Sequence, residues 1–203
     1  MDEQYLKNVI EEILDGRYEK EWVEFKVNNS FHETMGENIS ALSNSANIKN
    51  RKCGYLIYGI DDKTKKVIGT TFKPYKKKIG NTNLFLWLSM MLKPKINLQV
   101  FEFKYKGKDI AIFVVPSAID MPTSFKDEEF IRIGESKKKL KDFPLLEKQI
   151  WTNPQNRKFE KEIAMHGIGA DDVLQLIDYP SYFSLTNQNL PSNKKGILDK
   201  LES

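Results

Sequence analysis

Four side chains early in the sequence have the types and spacing of a metal-assisted phosphodiesterase site. Glu19 and Glu24 flank a short stretch that reads as a strand, Lys26 follows Glu24, and Asp62 ends the acidic pair that closes an apolar run at 54–60. Carboxylate oxygens suit Mg²⁺ or Mn²⁺, and such an ion takes one or two of them while keeping water and substrate phosphate in its other positions. It would generate a hydroxide nucleophile and offset charge on the scissile phosphate. Glu19, Glu24 and Asp62 are therefore the candidate metal ligands. Lys26 is the candidate phosphate contact. The competing reading makes Glu24 and Lys26 a surface cross-strand pair and Asp61-Asp62 ordinary turn chemistry.

These residues need elements to position them. Residues 22–27 alternate with period two, which predicts a strand. Val23, Phe25 and Val27 would face a core; Trp22, Glu24 and Lys26 would share the opposite face, leaving Glu24 displayed to solvent. Glu19 has the other parity and joins Glu24 only through a turn or bulge. The nearly unbroken apolar run Gly54–Ile60 predicts a central strand covered on both faces. Asp62 would emerge at its end, where ligand sites form in α/β sheets. Val67–Thr70 would return as its hairpin partner.

Leu6, Val9, Ile10, Ile13 and Leu14 predict a helix stopped at Gly16. A second helix is expected over about 33–46, burying Met35, Ile39 and Leu42. A third, buried with Trp87, would run from Leu84 to Leu92 and end before Pro94. Residues 96–105 and 109–115 flank the turn signal Lys106-Gly107-Lys108. A short strand at 130–134 and a helix from Leu145 to Trp151 follow. After a connector at 153–156, helical patterns recur at 159–164 and 173–177. The amphipathic pattern from Ile197 has no stop signal, which predicts a longer chain. The expected fold is α/β (α+β): a mixed sheet flanked by helices over 1–151, with a small helical extension over 152–203.

Charge is uneven. Residues 51–150 carry 21 Lys and Arg against 11 Asp and Glu, within a chain of net charge +4. Such a segment points to an anionic partner, nucleic acid first. The candidate contacts are Lys49, Arg51 and Lys52 before the central strand, then Lys76, Lys77 and Lys78, then Arg132 with Lys137, Lys138 and Lys139. Lysines neutralise phosphates without reading sequence. Tyr75 would either stack on an unpaired base or pack under its loop. A solvated face is the plainer reading of each lysine run.

Several chemistries lack their signatures. No GxxxxGK[ST] or GxGxxG pattern supports a nucleotide cofactor. Two histidines make a histidine-rich zinc site improbable, and Cys53, the single cysteine, reads as core. Gly134–Lys137 reads as a turn. No run approaches the ~18 apolar residues of a membrane span. The acidic start and lone cysteine fit a cytoplasmic protein.

The order of these segments resembles the Schlafen AlbA-like domain. It is carried by Glu19-x4-Glu24-Phe25-Lys26, Ser40-Ala41-Leu42-Ser43-Asn44, Gly54–Asp62 with Val67-Ile68-Gly69, and 130–134 with 140–151. The resemblance covers roughly 15–151. It implies an α/β domain that binds nucleic acid, RNA in preference to DNA, and in some animal members a metal-dependent endoribonuclease acting on structured RNA such as tRNA. Glu19, Glu24 and Asp62 match that family's three acids by motif position. The alternative is a non-catalytic DNA- or RNA-binding module of a regulator or defence protein. The family's glycine pair before the central strand is reduced here to Gly54, after a longer loop. Animal members join two such lobes into a cleft, so a cleft built from this single lobe would require a homodimer.

Overall fold

The computed structural model describes residues 2–16, 20–153, 174 and 178–201. Helix α1 (Glu3–Leu14) begins where the Asp2 carboxylate accepts the Tyr5 amide at 2.7 Å. It stops at Gly16, whose φ of +73° ends the helical path as its sequence predicts. Strand β1 (Val23–Lys26) follows a single 3₁₀ turn, Lys20–Trp22. Then come α2 (His32–Ile48), β2 (Cys53–Tyr58), a small hairpin of β3 (Lys78–Ile79) and β4 (Thr82–Asn83), and α3 (Leu84–Met91). Strands β5 (Leu92–Lys93), β6 (Gln99–Tyr105), β7 (Lys108–Pro116), β8 (Ser124–Phe125), β9 (Glu128–Ile133) and β10 (Ser136–Lys139) lead to α4 (Pro144–Thr152).

The main sheet has the order β1-β2-β7-β6, with β1 parallel to β2 and the other pairs antiparallel. β2 is central, as its apolar run predicts. Its residues alternate between two cores. Tyr55 and Ile57, with Ile110, Ile112 and Val114 of β7, pack on the apolar stripe of α1. Leu56 and Tyr58, with Ala111, Phe113 and Val115, pack on α2 and α3. Lys106 and Gly107 take φ values of 49° and 74° and close the β6–β7 hairpin as a turn with two left-handed residues.

A second sheet, β10-β9-β8-β5, covers the other side of α2. That helix is therefore buried between layers, and its polar residues do structural work. Ser40 Oγ donates to the Thr123 carbonyl (2.6 Å) and accepts the Phe130 amide (3.0 Å). Asn44 Nδ2 donates to the carbonyls of Thr123 and Phe130, and its Oδ1 accepts the Thr123 amide at 2.7 Å. Ser43 Oγ lies 2.8 Å from both the Pro116 carbonyl and Thr123 Oγ1. Buried backbone groups must find partners, and here α2 supplies them to a connection that has no full sheet ladder. Gly36 and Gly54 allow the close packing: a Cβ at Gly36 would lie 2.1 Å from Phe125, and one at Gly54 2.9 Å from the Leu42 carbonyl.

Three expectations are corrected. Val67–Thr70 forms no strand; an Ile60–Val67 bridge, the Ile68 and Gly69 amides on the Gly59 carbonyl, and the Thr70 amide on the Asp109 carbonyl hold it. Gly59 and Gly69 both turn the chain at positive φ there. Helix α3 is buried only at Leu84 and Leu88, while Leu86 and Met90 are exposed. Trp22 does not share a face with Glu24: it sits in the 3₁₀ turn and packs edge-on against Tyr55.

Residues 1–157 and 158–203 form two units. In the second, α5 (Tyr179–Leu185) is capped by Asp178, α6 spans Lys194–Leu201, and Phe183 and Ile197 are buried. The helices expected at 159–164 and 173–177 fall outside the described residues, Leu174 apart. Among the described residues no helix is long and apolar enough to cross a membrane.

Candidate nucleic-acid interface

Glu24 lies on the outer strand β1, in register with Leu56, and Lys26 in register with Tyr58. In-register neighbours share a face, so both point to the α2 side. Glu24 is only 8% exposed, which corrects the expectation that it is displayed. One carboxylate oxygen takes the Arg132 guanidinium from β9 and the other takes Lys26. Tyr58 beside it is pushed well above its ordinary value, by burial first and by the Glu24 charge second.

Arg132 is corrected too. Placed among the phosphate contacts by its neighbours in sequence, it is 6% exposed and engaged internally. Its Nη2 donates to the Glu135 carbonyl, its backbone amide donates to Ser45 Oγ, and its buried Nε has no protein partner. Around this pair runs a seam of further ion pairs. Lys137, the cross-strand neighbour of Arg132, binds Glu37. Lys49 binds Glu21 at 2.7 Å, and Glu21 also accepts the Gly134 amide at 2.6 Å. Lys139 and Lys141 share Glu128. Arg51 lies over the Trp22 ring, 4.9 Å from its centroid.

Asp62 sits in the exposed turn after β2 and pairs with Lys65 at 2.6 Å. Its neighbour Asp61 makes the turn, accepting the Thr64 amide and hydroxyl; these bonds hold its carboxyl below the usual range. Glu19 falls outside the described residues. Among the described residues, no three acidic, histidine or cysteine side chains gather as a metal-ligand group. With a guanidinium and an ammonium on its two oxygens, Glu24 as placed does not fit a divalent cation.

The 74–83 hairpin is different. Lys76, Lys77 and Lys78 form no ion pair among the described residues. Tyr75 precedes them, a residue 59% exposed whose ring packs on one side against Phe85 and whose hydroxyl donates to the Val100 carbonyl at 2.8 Å. Tyr75 is thus anchored by its loop and still exposed. Lys52 and Lys138 are also exposed. What the sequence reading missed is the seam itself, whose partners Glu21, Glu37 and Arg132 are distant in the chain.

The chain belongs to the Schlafen AlbA_2 family: the family model described as Schlafen, AlbA_2 matches residues 19–141. No curated protein matches it. Among solved structures it is similar to the DIP2311 protein of Corynebacterium diphtheriae, at 18% identity and a TM-score of 0.46, over 67% of this chain and 26% of that one. It is also similar to the N-terminal domain of a RecG-related protein from Nitrosomonas europaea, at 19% identity and a TM-score of 0.37, over 55% of this chain and 73% of that one. The chain therefore spans about a quarter of the Corynebacterium protein's length.

Proposed function

We propose that this Schlafen AlbA-like domain binds nucleic acid through the 74–83 hairpin. The observation that carries this reading is the run Lys76–Lys78, unpaired within the described residues, beside the anchored and exposed ring of Tyr75. Free ammonium groups release counterions when they meet phosphates, and an aromatic face accepts an unpaired base of any identity. The test is fluorescence anisotropy with a single-stranded 20-mer across a salt series. Neutralising all three lysines to Gln should lower the slope of log K against log salt by about 2, at ~0.7 per phosphate. An unchanged slope would sink this interface. Within this reading RNA is preferred to DNA, and a second copy of the chain is the other lobe of a cleft. Paired titrations with one sequence in both chemistries, and the light-scattering mass with RNA present, test the two points.

Metal-dependent cleavage of structured RNA is the second reading, favoured by a family match that spans Glu19, Glu24 and Asp62 together. It requires the Glu24 carboxylate to be released from Arg132 and Lys26, so no catalytic step is assigned to the present arrangement. Incubation of tRNA with Mn²⁺ or Mg²⁺, and with EDTA, is the test. Asp62→Asn is the cleaner variant, because Asp62 is exposed while removing Glu24 strands a buried arginine. Fragments that need both the metal and Asp62 would establish cleavage. Intact tRNA under conditions where it is bound would leave a binding domain.

A further inference from the structure

A cavity of about 240 Å³ opens between α1 and the start of β2, lined by none of the hairpin residues. Its walls are aromatic and cationic together. Tyr5 of α1 is 48% exposed there, and Arg51 is layered on the buried indole of Trp22. Its inner polar groups lie together: Cys53 Sγ donates to the Tyr55 hydroxyl at 3.2 Å, and Tyr5 lines the same cavity. Burial pushes both the Cys53 thiol and the Tyr55 hydroxyl up, so both keep their protons at neutral pH. The exposed Lys52 stands at the rim.

The chemistry narrows the ligand. Neutral protonated donors suit a heterocycle with lone pairs and do not suit a metal ion. A tyrosine ring and a guanidinium layered on an indole are surfaces on which a flat π-system stacks. A lysine beside them suits a phosphate. The volume lies just under the ~300 Å³ at which drug-sized pockets begin, which limits the occupant to one small unit. A second cavity of about 220 Å³ shares Lys52 and Cys53 and continues past Asn97 and Gln99. Gln99 adjoins Val100, whose carbonyl anchors Tyr75.

We propose that this cavity holds a single nucleotide, its base between Tyr5 and Arg51 and its phosphate on Lys52. The nucleotide is either one unpaired unit of a bound strand or a free mononucleotide. The site goes beyond the hairpin interface and can fail separately from it.

Cys53 gives a local probe, because it is the chain's single cysteine and lines the cavity. Its alkylation rate with iodoacetamide is measured by intact mass, alone and with a single-stranded 12-mer RNA, a 12-bp RNA duplex or 5′-AMP, with strand binding followed in parallel by anisotropy. Single-stranded RNA should slow alkylation at least fivefold and the duplex less than twofold. Protection by 5′-AMP would show that a free nucleotide suffices; protection by the strand alone would assign the site to a bound chain. Arg51→Gln with Tyr5→Ala should abolish protection. A strand that binds while neither it nor 5′-AMP alters the Cys53 rate overturns the cavity site and leaves the hairpin interface standing. If no strand binds, the hairpin reading fails; 5′-AMP then decides the cavity alone, and no protection overturns it.

Discussion

The seam around Arg132 and the hairpin at 74–83 hold similar charges in opposite roles. Lys137, Lys139, Lys49 and Arg132 each meet a carboxylate brought by another element. Lys76, Lys77 and Lys78 meet none among the described residues. The two lysine triplets look alike in sequence, yet one helps close the domain and the other is available to a partner. Availability is decided by what the opposing strand or helix carries. β10 is paired to β9 and flanked by Glu37 and Glu128, whereas the β3–β4 hairpin pairs only with itself.

The strongest way to test the seam is to remove its buried cation. Arg132→Met should cost about 3–5 kcal/mol in urea unfolding, because it leaves Glu24 buried beside Lys26 alone. The double variant with Glu24→Leu should recover much of that loss, since an apolar pair replaces an ionic one. A loss below about 1 kcal/mol for the single variant would mean the pair is solvated and the seam is surface. Asn44→Ala comes next. It strands the Thr123 amide and takes a donor from the Phe130 carbonyl, while the Thr123 carbonyl keeps Ser40, at about 1–3 kcal/mol for a group left unsatisfied, and it loosens β9, which carries Arg132. Hydrogen exchange at Thr123 would report the loosening directly. The hairpin variant with Lys76, Lys77 and Lys78 changed to Gln should unfold within about 0.5 kcal/mol of the parent while losing its salt-dependent binding. Lys137→Gln should do the reverse, costing up to ~1 kcal/mol and leaving the slope nearly unchanged. Equal slopes lost by both variants would erase the distinction between the regions.

What was legible in the sequence is what depends on near neighbours. The α1 stripe, the buried run of β2, and the turn at Lys106-Gly107 are local patterns, and each appears where its pattern predicts. The second sheet is not local: β5 and β8 are two residues each and pair across about thirty positions, too short for any alternation to register. The burial of Glu24 depends on Arg132, 108 positions away, so strand parity gave its direction but not what lay in that direction. Helix α2 did carry a signal. Ser40, Ser43, Asn44, Ser45 and Asn47 leave it without a clean polar face, as expected of a helix buried between two layers whose polar residues bond backbone.

The smallest effect tests the comparison within the lysine run itself. Glu128 is held below the ordinary carboxyl value of 4.5, first by its hydrogen bond from Lys139, with a lesser bond from Lys141. Lys139 is correspondingly raised above 10.5 by Glu128. A depressed carboxyl contributes stability above its unfolded value and loses it as pH falls through the folded value; a raised ammonium contributes below its unfolded value and loses it as pH rises through the folded one. The pair should therefore act in full between about pH 4.5 and pH 10.5 and be lost below and above that window, as each folded value is passed. NMR titration should find the Glu128 carboxyl below 4.5 in the parent and nearer to it in Lys139→Gln, with the difference shrinking in 1 M salt, where the screening length is about 3 Å. A Glu128 that titrates identically in both proteins would mean that Lys139 is not committed to its neighbour. It would then be as free for phosphate as Lys76–Lys78, and Lys137, Lys49 and Arg132 would still set the seam apart from the hairpin.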